Sequence, residues 1–182
     1  MLRAVCAALA LTVPGTAPAG EDTTAIAPGK SDSPATSFHL DALSLNVYGL
    51  SYHPDREKAH RTHLDNEINP GLGLHYELEN REWGLTFAEV GSYRDSGSNW
   101  VKYAGLGYQY KVGAGWRLGG AIAAIKSRTY NEGAAFLGVV PLVTYDFGPV
   151  QLNAVYFPKL SEYNVESAFG VYITLPVGKW AQ

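Results

Sequence analysis

The chain has 182 residues, 46% of them hydrophobic, 12% aromatic and 17% charged, with 20 Gly, 12 Tyr, one Cys and a net charge of −3. Globular domains average about 25% charged residues, so this chain is charge-poor; collagen, coiled coil, disulfide scaffold and strong disorder are excluded by composition. Slight acidity argues against nucleic acid as a partner, and nothing after residue 20 approaches the roughly 20 apolar residues of a membrane-crossing helix.

In chain order, Met1-Leu2-Arg3 is a positive start, Ala4–Val13 an apolar stretch and Ala17-Pro18-Ala19 a small-residue cleavage site. This pattern predicts a secretory signal peptide over residues 1–19. Cleavage there would remove Arg3 and Cys6, leaving a slightly more acidic chain without cysteine. Thiol catalysis, disulfides and cysteine metal sites then drop out together. Residues 20–42 are rich in Thr, Ser, Pro, Asp and Ala without clear periodicity and read as an N-terminal tail or short helix.

From residue 43 the texture changes to alternating or apolar runs separated by turn chemistry, the mark of strands. Leu43–Tyr52 is the first, followed by the polar loop Pro54–Asn66. Ile68–Leu78 ends at the turn Glu79-Asn80-Arg81; Trp83–Tyr93 leads into the loop Arg94–Asn99. Trp100–Val112 closes at Gly113-Ala114-Gly115, and Trp116–Ile125 runs into the loop Lys126–Gly133. Ala135–Phe147 turns at Gly148-Pro149, Val150–Phe157 precedes the loop Pro158–Asn164, and Val165–Leu175 is the eighth strand, before a tail over 176–182.

Several of these runs reach ten or more residues, as a tilted membrane strand requires. Their connections alternate long and short, as in outer-membrane barrels, and Trp83, Trp100 and Trp116 open strands where an aromatic girdle would sit. The expected fold is all-β: an eight-stranded antiparallel up-and-down transmembrane barrel over residues 43–175. A soluble barrel of lipocalin type is the competing architecture.

In the fourth strand one face carries Val101, Tyr103, Gly105, Gly107, Gln109 and Lys111, and the second strand opposes Gly71 and Gly73 to Leu72 and Leu74. Small residues on an inward face leave room for an acyl chain; they also serve as the bends that close a small barrel. All five histidines lie in the first half of the chain. In an up-and-down barrel the first two long loops share a rim, so His53 can meet Asp95 and Ser96 there. A histidine beside a hydroxyl and a carboxylate can act as general base, although Ser and Asp are also ordinary loop residues. A metal loop from His60, His63, Asp65 and Glu67 is the weaker alternative, because its spacing does not suit one strand face. No metal and no cofactor are expected.

Three stretches resemble the PagP family, outer-membrane lipid A palmitoyltransferases built as eight-stranded barrels. They are Leu50-Ser51-Tyr52-His53; Arg94-Asp95-Ser96 followed by Asn99-Trp100 and Ala104-Gly105-Leu106-Gly107-Tyr108; and the spaced prolines of Pro141-Leu142, Phe147-Gly148-Pro149-Val150 and Tyr156-Phe157-Pro158. The likeness covers about residues 45–175. It implies a catalytic set of His53, Asp95 and Ser96, an acyl-pocket floor at Gly107, and lateral lipid access at Pro141 and Pro158, where missing N–H groups interrupt the ladder. Those prolines would equally end or bulge a strand. The implied activity moves a palmitoyl chain from a phospholipid to lipid A in the outer membrane, by a monomer. A non-enzymatic outer-membrane or lipid-binding barrel is the alternative. The chain departs from the family pattern at Leu106, where an aromatic is usual, in lacking a helical stripe over residues 20–42, and in ending past Trp180 at Gln182.

Overall fold

The computed structural model describes residues 38–160 and 163–178. The signal-peptide reading, most of the tail before residue 43 and the last four residues lie outside the described residues. Eight strands form one closed antiparallel barrel in sequence order: β1 Leu43–Tyr52, β2 Ile68–Asn80, β3 Gly84–Arg94, β4 Trp100–Gly113, β5 Trp116–Lys126, β6 Phe136–Phe147, β7 Val150–Phe157 and β8 Ala168–Pro176. Closure pairs β8 back onto β1, from Leu45 opposite Leu175 to Tyr52 opposite Phe169. Closing the sheet removes the free edges that an open sheet would expose.

One end of the barrel carries tight turns and the other carries the long connections. At the turn end, Gly113, Ala114 and Gly115 all adopt positive φ (97°, 50° and 80°). A two-strand reversal needs this left-handed backbone, which glycine adopts without strain. Gly148 (φ 61°) does the same between β6 and β7.

The structure alters some expected boundaries. The first long loop holds a short helix, α1 (Arg56–Arg61), because the Asp55 carboxylate accepts from Lys58 N at 3.0 Å and caps its start. Ala59 of α1 and Leu64 beyond it are buried, fastening this loop down onto the rim. The last strand begins at Ala168, three residues later than its apolar texture suggests. Asn164 instead pairs with Leu160 within the loop, and buried Glu166 forms an ion pair with Lys58.

Alternation sorts the side chains. Outward positions such as Leu72, Leu74, Val90, Leu106, Ile122, Leu137 and Val139 are exposed and apolar. Inward, the turn half is filled by polar residues joined across the lumen. Gln109 donates to Thr144 (2.7 Å), Thr144 to Asn153 (2.6 Å), Asn153 to Thr174 (2.8 Å) and Thr174 to Asn46 (2.6 Å). Asn46 then donates to Glu89 (3.0 Å), which also accepts from His75 (2.9 Å). The chain of bonds visits every strand except β5. Above it, Leu85, Phe87, Leu142 and Tyr172 form one apolar cluster, and Val101, Ala123 and Ile125 another nearer the loops.

Candidate functional site

At the loop end, β1 runs out into His53 and β3, on the far side of β2, into Asp95-Ser96, so two strands of the same direction deliver both segments to one rim. His53 is 4% exposed and Ser96 8%, and their side chains meet: His53 Nε2 lies 2.8 Å from Ser96 Oγ. The other ring nitrogen, Nδ1, lies 3.2 Å from the Ser167 carbonyl. A carbonyl can only accept, so Nδ1 carries the proton of the neutral ring and Nε2 is left with its lone pair facing the serine. Ser96 O–H therefore donates to Nε2, the arrangement in which a histidine draws the proton from a hydroxyl. Ser51 Oγ stands 3.1 Å from Ser96 Oγ and is the second hydroxyl at the site.

Asp95 comes to the same rim but faces away from the imidazole. One carboxylate oxygen accepts from Ser127 Oγ at 2.6 Å and the other from Asn99 N at 2.9 Å. The loop then closes on its own backbone, with Asp95 N donating to Asn99 O and Ser98 N to Asp95 O, while Ser98 takes φ 60°. Asp95 thus holds the shape of the loop that presents Ser96; the expected contact between carboxylate and histidine is replaced by the Ser167 carbonyl. A carbonyl orients the ring but stabilises an imidazolium less than a carboxylate does.

Below Ser96 opens an apolar cavity that is continuous with solvent at its mouth. Ser51, Asp95 and Ser96 border it, Ala121, Ala123, Ile125, Val140, Leu142 and Val155 line its wall, and Glu89, Tyr48, Tyr103 and Tyr172 reach its inner end. His53 does not line it; the ring stands behind Ser96. Gly107 is level with Ala121, its partner across β4 and β5, and so lies at the depth of the cavity floor. It is not the surface of that floor. The Phe87 ring lies over it, in the space that a side chain at 107 would need.

Pro141 is exposed on the outward face of β6, and Pro158 follows β7. The β6–β7 ladder runs only from Phe147 opposite Val150 to Leu142 opposite Val155, then stops at Pro141. Beside the unpaired stretch lies a small apolar groove, which includes Val139 and Pro158 and shares Ile125, Tyr130, Val140 and Phe157 with the main cavity. The two prolines thus border a gap in the wall.

In the candidate metal loop these side chains have other partners: His60 Nδ1 is hydrogen-bonded to Asp65 (2.7 Å) and Glu67 forms an ion pair with Arg56 (2.8 Å). The His60 hydrogen bond holds the Asp65 carboxyl below its usual range. In the same region Glu166 holds Lys58 above the ordinary lysine value, fastening α1 to the last loop. Sequence reasoning missed Ser51, Ser127 and the Ser167 carbonyl. Parity could have found the first two. Ser51, near the end of β1, is two residues before His53, and Ser127, just past the end of β5, continues the inward series of Ala123 and Ile125.

Compared with protein-family models and with curated proteins, the chain matches none.

Proposed function

We propose that this barrel is an outer-membrane acyltransferase that moves a palmitoyl-type chain from a phospholipid to lipid A. The observation that carries the reading is the Ser96–His53 hydrogen bond at the mouth of an apolar cavity. Membrane placement is supported by the apolar outward rows and by Trp83, Trp100, Trp116, Tyr108 and Tyr110, exposed near strand ends as in an interfacial girdle. A soluble barrel would expose polar residues on that face.

In this reading the donor's acyl chain lies in the cavity with its ester at Ser96. Ser96 Oγ attacks the ester carbonyl as its proton passes to His53 Nε2, and the imidazolium returns that proton to the departing lysophospholipid oxygen. A lipid A hydroxyl then attacks the acyl carbonyl as its proton passes to His53, and the imidazolium hands that proton to the departing Ser96 Oγ, restoring both residues. The neutral Nδ1–H tautomer held by Ser167 suits both proton transfers. The gap beside Pro141 and Pro158 supports entry of the chain sideways from the membrane, since the groove there is separated from the cavity only by the side chains they share, Ile125, Tyr130, Val140 and Phe157.

The test is mass spectrometry of lipid A from cells expressing the wild type, His53→Ala or Ser96→Ala, each checked for a folded barrel. The wild type is expected to add one palmitoyl group, and each variant to lose at least 100-fold of that product, in line with removal of a general base or nucleophile. Lipid A unchanged in all three would leave the lipid-binding barrel as the better account.

A further inference from the structure

On the outward face at the loop end, Lys102 of β4 stands directly opposite Lys126 of β5, and both are exposed. Directly opposed residues hold their Cβ atoms roughly 5 Å apart, and like charges so placed repel. One row nearer the loops come Arg94, cross-strand from Trp100, and the exposed Arg128 of the following loop. Among the described residues Lys102, Lys126 and Arg128 make no ion pair, and Arg94 donates only to the Ser98 carbonyl. Exposed Glu132, the acid of the adjoining loop, pairs with none of them. The rest of the rim differs: its outward strand-end positions include Leu50, Tyr52, Ile68, Leu137 and Phe169, and the cations Arg56, Lys58 and Arg61 of the first loop are paired with Glu67, Glu166 and Glu57, with Lys159 beside Lys58. Four cations are therefore gathered on one third of the wall, in two rows just above the apolar positions Val90, Leu106 and Ile122.

We propose that this wall of β3 to β5 is a docking surface for a lipid headgroup carrying more than one phosphate, as lipid A does. Two rows of cations match phosphates at two depths, and an anion between Lys102 and Lys126 turns their repulsion into a shared attraction. Trp100 at the same level suits the boundary between headgroup and acyl chains. Each basic side chain near a membrane surface adds measurably to anionic lipid binding, so the four together give selectivity. The inference rests on membrane placement of the barrel and not on acyl transfer.

Native mass spectrometry of the full barrel in detergent, titrated with diphosphorylated lipid A, its dephosphorylated form and phosphatidylglycerol, tests this directly. The wild type is expected to hold the diphosphorylated form at least tenfold more tightly than the other two. Lys102→Gln with Lys126→Gln is expected to remove that margin, and Arg56→Gln with Arg61→Gln, on the opposite part of the rim, to keep it. Lys126→Glu would pair with Lys102, so it is expected to lose the lipid while unfolding at a higher temperature. That combination separates lost binding from lost fold. Equal retention of dephosphorylated lipid A or of phosphatidylglycerol overturns the proposal, as does retention in the lysine variants or equal loss in the arginine control. Absence of acyl transfer in the wild type would remove the enzyme reading and leave this one standing.

Discussion

At the scale of single residues, the site depends on which partner each polar atom has. His53 has its proton placed by a backbone carbonyl of Ser167, an atom present whatever the side chain there. Asp95 has both carboxylate oxygens occupied by Ser127 and Asn99. Under the proposed acyl transfer, Asp95→Asn should therefore slow the reaction by loosening the loop that carries Ser96, without moving its pH profile. Rates measured across pH check this; a displaced acidic limb would show the carboxylate acting on the imidazole itself. Gly107 teaches a related lesson. Its lack of a side chain is used by the Phe87 ring, so the glycine admits an aromatic neighbour more than a substrate atom.

At the scale of elements, β6 and β7 are the weakest seam. Their pairing covers six residue pairs and ends where Pro141 lacks an N–H. The strands on either side continue, β5 pairing with β6 as far as Phe136 and β8 with β7 as far as Phe157. Pro141→Val restores the donor on an exposed, outward position. The ladder should then extend toward Tyr156, slowing hydrogen exchange there and lowering kcat/KM for acyl transfer several-fold. Slowed exchange with unaltered kcat/KM would mean that lipid enters elsewhere. The strands, their order and the alternation of loops and turns were legible in the sequence, because outward and inward residues alternate with a period of two. Helix α1 was not, since one turn capped by Asp55 leaves no periodic signal. The late start of β8 was also hidden, because Val165 looks like a strand residue and Glu166 is drawn to Lys58 from another loop.

At the scale of the whole molecule, the lumen is divided. The loop half is an apolar cavity and the turn half a polar network, and the boundary falls at Glu89 with Tyr48, Tyr103 and Tyr172. Thr144 and Asn153 are buried links in that network, with hydrogen-bond partners on both sides. Thr144→Val would strand the Gln109 amide and the Asn153 carbonyl oxygen, which should cost about 1–3 kcal/mol. Thermal or urea unfolding of the barrel in detergent should show the loss, while any acyl transfer at the Ser96 site, at the far end, should be unchanged.

The sequence by itself determined that this is an eight-stranded barrel with apolar rows outside, and which rim His53 and Ser96 reach, because strand parity and loop length are local properties. Only the tertiary structure decided which atoms meet there. Whether Asp95 or Ser167 holds the histidine, whether Phe87 covers Gly107, and where two lysines face each other all depend on register between strands. Register is set by how the barrel closes, as the pairing of β8 with β1 commits every strand between them.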